Sequence, residues 1–425
     1  MEELKKIQQK LSSHWSQIDT ATLVNDVTRS LMQDRGDWDP PVGVEPKLKT
    51  IPLSIGIPDT ESLPKEALRQ SANRIFSRPG EAAFVYGFGM GYRRLRAQLA
   101  EMYSNERGMQ VTDDWFQLCN GSSGAIDLIG RTLVQPGDVI ISESPTYMGT
   151  LRNFRALQAD VQSVPMDQDG LITSELETLI KRLLENGKQI KFIYTISTFQ
   201  NPTGATLATD RRIELLRIAA KYKILILDDD AYGSLYFESK PPPPLSALSA
   251  GHGVLTVGTF SKILATGLRI GWIHGTPDLV ALFGKMRFAM GLNQQMARTV
   301  SDYIAAGNLN SHADSVRSIY RNKMETLADA LTQHAGEFVQ FTRPKGGFYL
   351  WVNLTNSLRT QDVWRTAAEE GVAFTRGVNF YPSRVDPDEH IRIAFPWTRL
   401  DEIEEAAIRF GRACRRVAAG DGASD

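Results

Sequence analysis

The chain has 425 residues, 42% apolar and 23% charged, the composition of a folded globular protein of two or three domains rather than a disordered one. Its 48 basic and 49 acidic residues leave a formal charge of −1, which gives no global attraction to nucleic acid or an anionic membrane. Two cysteines, Cys119 and Cys414, exclude a disulfide scaffold and favour a reducing, cytoplasmic compartment, and no run reaches the ~18 apolar residues of a membrane span.

In chain order, the start MEELKKIQQK carries charges where a secretory signal would place its apolar core. Leu4, Ile7, Leu11, Trp15 and Ile18 then recur at three- and four-residue steps, which predicts an amphipathic helix packed on its own body or on a second subunit. Asp37-Trp38-Asp39-Pro40-Pro41 breaks that pattern, so residues 1–50 read as an arm and linker. Seven apolar runs follow: Phe116–Cys119, Val139–Ser142, Val161–Val164, Phe192–Ile196, Ile224–Leu227, Leu255–Gly258 and Ile270–Ile273. Helix-like stretches such as Arg211–Lys221 lie between them. Continuous apolar strands alternating with helices require a sheet buried on both faces. Residues 51–295 are therefore expected to form a large α/β domain, with helices on both faces of a mostly parallel seven-stranded sheet. Pro241–Pro244 reads as a stiff connector.

After Gly291 the alternation stops. A helical stripe (Val316, Ile319, Tyr320, Met324, Leu327, Leu331) precedes a strand-like run, Gly346-Gly347-Phe348-Tyr349-Leu350-Trp351. The last helix opens at Thr398-Arg399-Leu400-Asp401, a capping-box spacing. Residues 296–425 are expected to form a smaller α+β domain.

Ligands of open α/β sheets bind beyond the carboxyl ends of the strands, so the residues after each run are informative. They are Asn120-Gly121-Ser122-Ser123-Gly124, then Glu143-Ser144-Pro145-Thr146-Tyr147, Gln200-Asn201-Pro202-Thr203-Gly204, Asp228-Asp229-Asp230-Ala231-Tyr232, and Thr259-Phe260-Ser261-Lys262 with Arg269 beyond it. Five strand ends thus supply an anion cradle, an aromatic, an amide, a carboxylate, a lysine and an arginine.

This ordered set resembles the fold-type I pyridoxal-phosphate enzymes, within them the class I and II aminotransferases, over roughly residues 50–415. The resemblance implies pyridoxal 5'-phosphate held as a Schiff base by Lys262, whose freed amine then moves the Cα proton. It implies that Asp229 keeps the pyridine nitrogen protonated, and that Asn201 and Tyr232 hydrogen-bond the phenolic oxygen. Ser122, Ser123, Thr259, Ser261 and Arg269 would hold the phosphate, and Tyr147 would lie against the ring. Arg392, in Ile391-Arg392-Ile393, matches the arginine that clamps the substrate α-carboxylate. Gly56 and Pro58 match the segment that closes over the substrate, and Tyr86 matches a tyrosine that reaches the neighbouring subunit's phosphate, which implies a homodimer with shared sites. The three acids Asp228–Asp230 are also compatible with a solvated strand end or a divalent-metal site.

Three positions depart from the family pattern. Ile55 stands where many relatives have glycine, Thr266 where they have proline, and Arg376 replaces a frequent proline near the substrate entrance, where it would face a second acidic group or solvent. The implied activity is exchange of an amino group between an α-amino acid and a 2-oxo acid by a ping-pong route. Elimination, replacement, cyclisation or carbon–carbon bond formation on the same scaffold is the alternative. A DNA-binding regulator would need a basic recognition helix, which the leading residues lack. Gly87-Phe88-Gly89-Met90-Gly91 lacks the spacing of a dinucleotide fingerprint.

Overall fold

A computed structural model describes residues 1–33, 41, 43–87, 89–287, 291–387 and 389–421. Two compact units result, Met1–Gly36 and Asp37–Asp425. The first contains helices Glu2–Trp15 and Asp26–Gln33, and Leu4, Ile7, Leu11 and Trp15 of the expected stripe fall in the former. Asp37, Trp38, Asp39 and Pro40 of the expected linker lie outside the described residues.

In the second unit the strands are β1 (Ile51–Pro52), β2 (Phe116–Cys119), β3 (Val139–Ser144), β4 (Asp160–Asp167), β5 (Gly170–Leu171), β6 (Ile190–Thr195), β7 (Leu225–Asp229), β8 (Val254–Thr259), β9 (Gly271–His274), β10 (Val339–Phe341), β11 (Tyr349–Leu354), β12 (Val372–Ala373), β13 (Thr375–Arg376) and β14 (His390–Ala394). The large sheet has the order β2-β9-β8-β7-β6-β3-β4-β5. Pairing is parallel from β8 through β7, β6 and β3 to β4, and antiparallel at β9 and at both edges. All seven apolar runs are strands of this sheet. The eighth, β5, is a two-residue return at the edge.

The apolar runs are continuous because successive residues face different cores. Val139, Ile141, Ile193 and Ile226 pack with Leu176, Ile180, Leu215 and Ile218 of helices Thr173–Glu185 and Thr209–Tyr222. Their neighbours Ile140, Phe192, Tyr194 and Leu227 pack on the other face with Ala125, Ile129 and Phe154 of helices Gly121–Leu133 and Met148–Ala156. Both cysteines are buried and unpaired. Among the described residues no helix is long and apolar enough to cross a membrane.

The second sheet is antiparallel, of order β10-β11-β14-β13, and is accompanied by helices Asn308–Ala335, Thr360–Glu369 and Leu400–Ala418. The expected capping box does not form. Thr398 Oγ1 donates instead to Pro52 O at 2.8 Å, and Asp401 pairs with Arg399. The early segment is tied down there because β1 pairs in parallel with β12.

Candidate active site

Asp229 ends β7, and Lys262 lies three residues beyond the end of its parallel neighbour β8. Asp229 is buried and Lys262 half-buried, and each perturbs the ionisation of the other. Burial, reinforced by the charges of Arg392 and Arg269, holds the Lys262 amine below its ordinary pKa. Its Nζ donates to Gly56 O at 2.7 Å. Burial, with repulsion from Asp228 and Asp230, pushes the Asp229 carboxyl up to about 7 against a hydrogen bond that favours its charged form. That bond comes from the Tyr194 hydroxyl to Oδ2 at 3.0 Å, and Tyr194 is itself paired with Thr150 at 3.1 Å. Asp229 Oδ1 is buried with no hydrogen-bond partner among the described residues.

Asp228 and Asp230 have other roles. Asp228 Oδ1 accepts from Ser197 Oγ at 2.8 Å, and Asp230 pairs with Arg107 at 2.6 Å.

Beside this pair lies a cationic cradle. Arg269 adopts a left-handed backbone (φ 53°), and its Nη2 donates to Asn120 O at 3.1 Å, immediately before helix Gly121–Leu133. The first turn of that helix carries unpaired N–H groups and the side chains of Ser122 and Ser123. Gly121 has φ 72°, a conformation that favours glycine, and a Cβ there would displace the Arg269 guanidinium that packs against it. Thr259 and Ser261 join through their hydroxyls at 2.9 Å.

On the other side, Arg392 of β14 is 2% exposed and stacks between Tyr349 (4.4 Å) and Phe380 (4.9 Å). Its Nη1 donates to Asn201 Oδ1 at 3.1 Å and its Nη2 to Ser54 O at 2.9 Å, while Nε has no partner among the described residues. Asn201 sits in a turn fixed by buried Glu143, which accepts from Thr195, Ile196 and Gln200. Burial pushes the Glu143 carboxyl up to about 7. Tyr232 pairs with Tyr349 through their hydroxyls at 3.1 Å. Burial, with Tyr349, pushes Tyr147 up to about 12, and Arg392, Asp229 and Arg269 also act on it. Gly56 lies so close to Tyr349 that a Cβ would overlap the phenol oxygen.

Lys262, Asp229, Tyr232, Asn201, Tyr147, Arg269, Arg392 and Gly56 therefore surround one region. Tyr86 does not share it. It is 72% exposed and, with Phe84 and Val85, lines a cleft of about 740 Å³ that Lys262 does not reach. Arg376 faces neither a substrate acid nor solvent alone. It pairs across strands with Ile391 while Thr375 pairs with Arg392, so strand alternation sends it to the opposite face. There it stacks on Trp364 at 4.4 Å and bonds Gln361. Tyr194, Tyr349, Glu143 and Thr375 add to the site beyond the residues that the sequence picks out.

The donors fit pyridoxal phosphate. The unpartnered buried Oδ1 of Asp229 suits a protonated ring nitrogen, and the cradle at Gly121 and Arg269 suits a phosphate.

Residues 49–410 match the sequence profile of the family described as aminotransferase class I and II. The chain is 31% identical over 370 residues to aromatic-amino-acid aminotransferase 1 of Thermococcus litoralis, covering 86% of this chain and 88% of that one. Against the 2-aminoadipate transaminase of Thermus thermophilus it is 31% identical over 369 residues, covering 86% and 90%. The crystal structure of Pyrococcus horikoshii kynurenine aminotransferase superposes with a TM-score of 0.83 at 29% identity, over 96% of this chain and 99% of that one. From this profile match and these relatives, the chain belongs to the class I and II aminotransferase family.

Proposed function

We propose that the chain exchanges the amino group of an α-amino acid with a 2-oxo acid by a ping-pong route on pyridoxal 5'-phosphate, with Lys262 as attachment point and proton carrier. When bound, that group supplies an aldehyde that condenses with amines and a ring that draws electrons from Cα. The observation that carries the reading is the placement of Lys262 beside Asp229 at the ends of adjacent parallel strands, with Arg392 facing them.

Each residue then has a task. Arg392 receives the α-carboxylate through its guanidinium, oriented by Asn201 and Ser54 O. Lys262, whose amine burial keeps easily deprotonated, would hold the cofactor and serve as the base and acid that moves the substrate Cα proton. Asp229 holds a proton on the ring nitrogen. Asn201 and Tyr232 donate to the phenolic oxygen, and Tyr147 packs on the ring. Ser122, Ser123, Thr259, Ser261 and Arg269 bind the phosphate.

Exposed Phe84, Val85 and Tyr86 support a homodimer in which Tyr86 completes the partner's site. Residues 51–295 serve as the cofactor-binding domain and 296–425 as the smaller domain. Two buried free cysteines support a cytoplasmic setting.

The test is to mix purified holoenzyme with a panel of aromatic, acidic and aliphatic amino acids while following cofactor absorbance and 2-oxo-acid release. Conversion of the cofactor to its amine form with stoichiometric 2-oxo acid is expected. Loss of a side-chain leaving group without 2-oxo-acid release would instead support elimination or replacement chemistry.

A further inference from the structure

A second buried cation lies outside this cluster. Lys323, on helix Asn308–Ala335, is 4% exposed, and its partner Asp59 is 5% exposed. All three ammonium protons have acceptors, namely Asp59 Oδ1 at 2.9 Å, Pro396 O at 2.6 Å and Thr398 O at 2.7 Å. Asp59 Oδ2 accepts from Ser62 N–H at 2.7 Å, and Asp59 N–H donates to the hydroxyl of Tyr320, one turn before Lys323.

What this clasp holds is specific. The segment Pro52–Asp59 presents its carbonyls in order to Thr398 Oγ1 (Pro52 O), Ala394 N–H (Leu53 O), Arg392 (Ser54 O) and Lys262 (Gly56 O). Asp59 closes that segment, and Pro396 and Thr398 follow directly on the strand that carries Arg392. Lys323 thus joins, at one atom, the segment beside the substrate and the strand bearing the carboxylate-binding arginine. Buried ion pairs can often be replaced by apolar residues without loss of stability, so it is the bonds of this pair to both the Asp59 segment and the Pro396–Thr398 segment that point to a positioning task.

We propose that Lys323 and Asp59 form a clasp that fixes the Ser54–Gly56 segment against Arg392, and that Lys323 is a positioning residue for the substrate α-carboxylate. The proposal rests on the aminotransferase reading of the same site. It acts through Arg392 and Gly56, so it bears on amino-acid and 2-oxo-acid binding and not on the phosphate cradle.

The experiment compares wild-type holoenzyme with Lys323→Met, Asp59→Asn and the double variant. Half-saturation is read for amino acid and for 2-oxo acid in separate half-reactions, alongside the cofactor dissociation constant and amide exchange over residues 53–62. Each single variant is expected to raise both half-saturation values about tenfold, since small misplacements of a binding group are costly. Cofactor affinity should stay unchanged, the Ser54–Asp59 amides should exchange faster, and the double variant should be no worse than either single one. If Lys323→Met does not fold, Asp59→Asn, which keeps the volume, carries the test. Folded variants with wild-type half-saturation and wild-type exchange would overturn the clasp. A wild-type enzyme inert to every amino acid would overturn the functional reading instead, and the exchange measurement would still decide whether the clasp exists.

Discussion

Replacing Asp229 with Asn separates what this residue does for the site from what it costs the fold. Burial displaces the carboxyl from 3.8 to about 7, which corresponds to ~4 kcal/mol of stability lost once the group is forced to ionise inside the protein. The folded-state pKa lies above the unfolded one. This group's contribution is therefore fully present below pH ~4 and is lost as pH rises through about 7. Asn keeps the shape and an acceptor for Tyr194 but has no proton to lose. Between pH 5 and 8 the cofactor-free wild type should lose about 2–3 kcal/mol that Asp229→Asn retains. Asp228 and Glu143, raised by burial to about 6 and about 7, titrate in both proteins and cancel in the difference. Urea unfolding of both cofactor-free proteins at several pH values measures that difference, while amino transfer by the reconstituted variant should fall on the order of 10²-fold or more. Parallel stability curves across pH 5–8 would refute a buried, charge-strained Asp229.

Two further substitutions probe the substrate side. Arg392→Lys removes the planar fork held by Asn201 and Ser54 O, and should raise half-saturation for amino acids by about 10–100-fold in single half-reactions. Unaltered saturation would show that the carboxylate binds elsewhere. Gly56→Ala would push a methyl group into the Tyr349 hydroxyl, so the melting transition should reveal a loss of about 1–3 kcal/mol. Wild-type melting would mean that the segment yields more easily than its packing indicates.

The large sheet is legible because its strands face a core on each side, so their apolar runs are unbroken. The candidate site residues are legible for a related reason: polar groups stop each run at the strand ends, where open α/β sheets bind ligands. Other features depend on contacts that no local pattern carries. β5 is two residues long and leaves no periodicity. Thr398 has the spacing of a cap, yet its hydroxyl is taken by Pro52, 346 positions away in sequence. Tyr194 supports Asp229 from inside an apolar strand, where a tyrosine reads as ordinary packing. Arg376 faces away from Arg392 only because a two-residue strand fixes its side, and Lys323, on the apolar stripe between Tyr320 and Leu327, finds its acceptors only in residues distant in sequence.

The central claim is that Lys262 holds the cofactor's aldehyde while Asp229 faces its ring nitrogen. Borohydride reduction of the holoenzyme, followed by peptide mass spectrometry, tests the attachment directly. A pyridoxyl adduct confined to the peptide containing Lys262 is the expected result. An adduct on a different lysine, or none on a protein that retains cofactor absorbance, would contradict it.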